Sequence, residues 1–120
     1  MKHYLILSVL IICCKPAANN LEQQRAEVMK IHDDAMARMG EIQNAVKDLK
    51  EMPVDSAEQK QVDGLILALE DAEEGMMLWM ERYSEPKTEI EQFYRDQKEK
   101  IQIVADDIDE SIARAKKYME

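Results

Sequence analysis

Apolar residues recur at three- and four-residue steps along most of this 120-residue chain, the spacing that lines one face of an α-helix. Val28, Ile31, Ala35, Met39, Ile42, Val46 and Leu49 form the first stripe. Asn19 or Asn20 is placed to cap its start. Met52-Pro53 ends it, because the residue before a proline is pushed out of the helical region. Ser56-Ala57-Glu58-Gln59 reads as a capping box, the serine accepting from a free backbone N–H while the glutamine reaches back. It opens a second stripe of Val62, Leu65 with Ile66, Leu69, Ala72, Met76, Trp79 with Met80, and Tyr83. Gly64 and Gly75 sit inside that stripe, each costing about 0.8–1 kcal/mol relative to alanine. They either let a neighbouring helix come close or are simply tolerated. Ser84-Glu85-Pro86-Lys87-Thr88 breaks the period, and Thr88 with Glu91 makes a second capping box. The third stripe is Ile90, Phe93 with Tyr94, Gln97, Ile101, Val104, Ile108, Ile112, Ala115 and Met119, with Gln97 its one polar step.

These stripes predict helices over 21–52, 56–83 and 87–119, each about 28–33 residues and roughly 42–50 Å long. Both connections are short, so neighbours run antiparallel. The expected fold is all-α: an up-down-up antiparallel three-helix bundle with coiled-coil-like packing. The alternative is a longer helix kinked at Pro86 whose core is completed by dimerisation. Composition agrees on class, since three glycines and three prolines are too few for the frequent turns of an all-β fold.

The first residues follow a different pattern. Met1-Lys2-His3-Tyr4 carries one firm positive charge, and Leu5–Ile12 is apolar but for Ser8. That run is too short to cross the hydrocarbon of a bilayer, which takes about 20 residues, and it suits the central region of a signal peptide. Cys13-Cys14 at its end resembles the bacterial lipobox, in which the leader is cut before a cysteine that becomes acylated. Cys14 fits better than Cys13, because Cys13 then supplies the small preceding residue where Ile12 would be bulky. Gly, Ala or Ser is commoner at that preceding position. The expected organisation is a signal peptide at 1–13, a lipid-bearing (palmitoylated) Cys14 with a tether at 14–20, and a helical domain at 21–120. Lys15 is not the aspartate that resembles an inner-membrane retention signal, so the resemblance implies an outer-membrane protein facing the periplasm. No cysteine follows Cys14, so the domain holds no internal disulfide and depends on helix packing.

The formal charge is −9, and loss of Lys2 with a leader makes it one unit more negative. An acidic surface without a basic stripe repels phosphate backbones, which argues against nucleic acid as a partner. It argues equally against electrostatic docking on anionic lipid, so attachment to a membrane would be covalent. Enzyme signatures are missing: there is no glycine-rich phosphate loop, no HExxH, and only one histidine, His32, beyond His3.

One cluster has chemical potential. Met29, His32, Met36 and Met39 are spaced so that one helix side carries all four. Folding the hairpin at residues 54–55 sets His32 level with Met77, Met29 with Met80 and Met36 with Glu73. Met76, Met77, Trp79 and Met80 then lie at the height of His32, and the second turn adds Phe93 and Tyr94. Thioethers with one imidazole are soft ligands that select Cu(I), and an indole face attracts a cation. The candidate ligands are His32, Met36, Met76 and Met80, with Met29, Met39, Met77 and Trp79 nearby. The plainer reading needs no cofactor: the methionines fill an irregular core around Trp79.

Val28–Gly40, with its Ile-His-Asp-Asp segment, resembles the first helix of a family of small bacterial lipoproteins that genomes label "viral A-type inclusion protein". Asp71–Met80, with Met-Met-Leu-Trp-Met, is similar to that family's second helix. The resemblance implies an envelope location and a helical fold, and it implies no activity. The function expected is that of a non-catalytic, membrane-anchored envelope lipoprotein whose helical domain contacts an envelope protein or a copy of itself. The alternative is a periplasm-facing Cu(I)-binding protein.

Overall fold

The computed structural model describes residues 17–120, with side chains from Asn20 onward. The signal peptide, Cys13 and Cys14 lie outside the described residues. Four helical segments follow one another: α1 (Ala17–Met36), α2 (Met39–Glu51), α3 (Ser56–Arg82) and α4 (Ile90–Met119). α1 and α2 continue one another across a short break, so the fold is an all-α bundle of three helices. α4 packs against each of the others, and α2 also packs on α3.

Ion pairs fix the directions. Glu27 meets Lys98 at 2.9 Å and Arg38 meets Asp109, both 71 residues apart, so α1 runs parallel to α4. Arg25 of α1 meets Glu85, just beyond the end of α3, at 3.1 Å. The N-terminal half of α1 and the α3–α4 loop therefore share one end of an up-down-up bundle. The core repeats the three stripes. Val28, Ala35, Met39, Ile42 and Leu49 are buried from the first, and Val62, Leu65, Leu69, Ala72, Met76 and Trp79 from the second. Tyr94, Ile101, Ile108, Ile112 and Ala115 are buried from the third. Gln97 is buried as its place in the stripe required, and Ser111 is buried too, its hydroxyl donating to the Ile108 carbonyl at 3.0 Å.

The structure differs from the sequence-based expectations at the helix ends. The first helix is not continuous over 21–52 but breaks at Ala37-Arg38. The Arg38 N–H bonds to the Ala35 carbonyl and the Glu41 N–H to the Arg38 carbonyl, two tightened turns of 3.0 Å each. No proline is involved. Gly40 weakens the helix here, and Arg38 is engaged sideways, its Nε on Glu41 at 2.8 Å and its Nη1 on Asp109. Lys116 adds a 3.0 Å contact to Glu41, now 75 residues away. Past the break, α2 is thus paired one helical turn further along α4. Arg38 and Lys116 together hold the Glu41 carboxyl below the usual carboxylate range, and Lys98 does the same for Glu27.

α3 is capped by Asp55 and not by Ser56: Asp55 Oδ1 accepts from the Glu58 N–H at 2.8 Å, and the Glu58 carboxylate accepts from the Asp55 N–H at 3.3 Å. Aspartate is as good a cap as serine and brings a charge to the positive helix end, so the box slips back one residue. The Thr88–Glu91 box does not form, and α4 starts at Ile90 after Glu89 in a left-handed conformation (φ 55°, ψ 35°) with no side-chain cap. α1 takes in Asn19 and Asn20, so neither caps it. Gly64 and Gly75 permit no close approach, since a Cβ at either would meet nothing within 4 Å.

Two predictions follow from this packing. Ile101 and Ile108 are fully buried, so Ile101→Asp and Ile108→Asp should each abolish the cooperative thermal transition, because an unpaired carboxylate in a helix seam is very costly. Exposed Glu99→Ala should stay within about 0.5 kcal/mol of the parent. Gly64→Ala and Gly75→Ala should each raise stability by about 0.8–1 kcal/mol in denaturant melts. A loss at either glycine would show a contact that the backbone does not reveal.

Candidate functional site

The chemistry-bearing residues gather where α1, α3 and the start of α4 meet. His32 comes from α1, three residues after Met29 and four before Met36, and its side chain is 20% exposed. Its Nε2 lies 3.1 Å from Met80 Sδ on α3, and its Nδ1 lies 2.9 Å from Asp33 Oδ1. The imidazole is thereby held between a carboxylate and a thioether. Trp79 flanks it with ring centroids 5.6 Å apart and planes inclined by 32°.

From Trp79 an aromatic ladder continues through Tyr83 at 5.0 Å and Phe93 at 5.3 Å to Tyr94 at 5.6 Å. Tilted pairs at these separations are favourable beyond the area they bury. The ladder joins α3 to α4 at the end where α1 approaches. Its outer edge is Glu85, which accepts from the Tyr83 hydroxyl at 3.2 Å and pairs with Arg25. Burial first, then the hydrogen bond to the Glu85 carboxylate, pushes the Tyr83 phenol up to about 12 and raises Tyr94 in the same direction.

The methionines divide. Met76 is fully buried and Met39 nearly so, both inside the hydrophobic core. Met29, Met36 and Met80 are half-buried and pack against that core. Met77 is 43% exposed and points away from it, although the hairpin places it level with His32. Among the described residues the one thioether within bonding distance of the imidazole is Met80, three residues on. Asp33 carries no weight in the apolar pattern, and the histidine beside it was the only signal for its role. Trp79 Nε1 is buried with no hydrogen-bond partner among the described residues.

Among the described residues no three His, Cys, Asp or Glu side chains gather as a metal cage. A surface groove of about 650 Å³ lies between α3 and α4 toward the other end of the bundle, where Lys60, Arg114, Lys117 and Tyr118 line it. It brings none of the His/Met residues together. No family model, no curated protein and no solved structure matches the chain.

The aromatic ladder has an alkaline signature. Tyr83 is harder to ionise folded than unfolded, so its contribution is fully present below the ordinary tyrosine value of about 10 and is lost as pH rises toward about 12. The denaturation midpoint should fall over that window. Tyr83→Phe should flatten the fall measurably when both proteins are melted at the same series of pH values. Parallel curves would remove Tyr83 as the cause.

Proposed function

We propose that this chain is a lipid-anchored bacterial envelope protein whose helical bundle works without catalysis, meeting another envelope protein or a second copy of itself. The observation that carries this reading is the apolar Leu5–Ile12 run closed by Cys13-Cys14, in a chain with no other cysteine. The position of α1 supports it. α1 begins at Ala17, with only Lys15 and Pro16 between it and Cys14, so an acyl chain on Cys14 would hold the bundle close to the lipid. The end bearing Arg25, Glu85 and the α3–α4 loop would then lie nearest the membrane, with the α2–α3 turn and Glu120 pointing away. Among the described residues no helix is long and apolar enough to cross a membrane.

An interaction role is supported by the outward apolar residues. Leu67 and Leu78 of α3 are 59% and 38% exposed, and their spacing of about three helical turns puts them on one side. Ile103 on α4 is 57% exposed. On an acidic surface such residues are where a protein partner gains apolar contact. The resemblance of Val28–Gly40 and Asp71–Met80 to small lipoproteins points the same way.

Cys14→Ser should either release the protein from the membrane fraction or leave an uncleaved precursor, read by fractionation and intact mass. The parent should carry an acyl mass increment on an N-terminal cysteine. A mature parent that stays membrane-bound without that increment would overturn the anchor.

A further inference from the structure

We propose that His32 Nε2 and Met80 Sδ form the core of a Cu(I) site between α1 and α3, with Asp33 orienting the imidazole and Trp79 flanking the ion. This goes beyond the anchoring function and does not depend on it.

The geometry comes first. An ionised carboxylate only accepts hydrogen bonds, so Asp33 at 2.9 Å places the imidazole proton on Nδ1. In the neutral ring Nε2 then presents a lone pair, and what it faces at 3.1 Å is the sulfur of Met80, itself a lone-pair donor. Two donors aimed at each other need something between them, and either a proton or a soft metal ion answers. A carboxylate on the far nitrogen is also the arrangement that fixes tautomer and orientation in histidine ligands of metals.

Size and softness select the ion. Bonds of about 2.0 Å to imidazole nitrogen and about 2.3 Å to sulfur at a tetrahedral angle hold the two atoms roughly 3.5 Å apart. The observed gap needs to open by a few tenths of an ångström, a small movement for a half-buried methionine with three rotatable bonds. Thioether sulfur and imidazole suit Cu(I), and the exposed side of His32 leaves room for the further ligand that a tetrahedral angle implies. Zn²⁺ would require thiolates or several imidazoles, and His32 is the only histidine among the described residues. The Trp79 ring lies against His32, and an indole face favours an adjacent cation. Of the other methionines, Met76 is sealed in the core and Met77 faces outward. The site is therefore narrower than the sequence cluster suggested. With His32 20% exposed, an ion reaches it without unfolding the bundle.

The test uses the full chain in detergent with Cys13 and Cys14 both replaced by serine, so that their thiols do not capture the metal. Cu(I) is delivered anaerobically in competition with a chromophoric Cu(I) chelator. Trp79 is the only tryptophan in the chain, so quenching of its emission reports occupancy at this position. One equivalent should bind and quench Trp79, with no displacement by excess Zn²⁺. His32→Gln and Met80→Leu should each weaken binding by more than about tenfold at unchanged stoichiometry of folding, and Met52→Leu, on the far side of the bundle, should leave it unchanged. Asp33→Asn removes an exposed carboxylate that no core contact depends on, and should weaken binding about tenfold without moving the melting temperature. Failure of the parent to bind Cu(I) above the level of a chain lacking both His32 and Met80 would overturn the proposal. So would equal affinity in the parent, His32→Gln and Asp33→Asn.

Discussion

Everything in this bundle is hung on one seam. Ile101, Ile108 and Ile112 of α4 are completely withdrawn from solvent, and α4 is the helix that touches all the others. With no disulfide in the helical domain and few aromatics, the favourable free energy is mainly the transfer of aliphatic and methionine side chains from water, at about 25 cal/mol per Å² of apolar surface. α1 and α2 lie end to end, so at any height α4 faces two neighbours along one buried face, and Gln97 and Ser111 are the polar residues on that face. Ser111 bonds back to its own helix, a solution open to hydroxyls in helices, and costs the seam little.

The ionic contacts are of another kind. They lie at the edges of the seam, are mostly exposed, and each contributes little by itself. Their effect is on register. Glu27 with Lys98 holds α1 to α4 at one offset, and Glu41 with Lys116 holds α2 to α4 at another, with Arg38 joining Glu41 to Asp109 between them. The break, with its change of offset, leaves both α1 and α2 with an apolar face on α4.

The helices were legible in the sequence because burial on one face leaves a period, and all three stripes recur in the core. What was not legible is whatever depends on a partner distant in the chain or on a local conformation with no compositional mark. The break at Ala37-Arg38 has no proline to announce it and falls where Arg38 meets Asp109, 71 residues away. Asp55 and Ser56 are both good caps, and only the backbone entering α3 decides between them. Glu89 takes a left-handed conformation that glutamate does not advertise and that ordinarily costs about 1–2 kcal/mol. At the site, counting back from a hairpin turn gives height along the bundle to within about one turn and says nothing of direction around it. Met77 and Met80 are three residues apart, yet one faces solvent and the other His32.

Glu85 also adds to how the bundle bears load. It sits in the loop after α3, accepts from Tyr83 and pairs with Arg25 of α1, so it clasps the N-terminal half of the first helix to the opposite hairpin. Because α1 lies parallel to α4, a pull on its N-terminus acts along both helix axes. It would have to slide many side-chain contacts at once instead of opening them singly. The clasp adds a lateral tie at the point where the force enters.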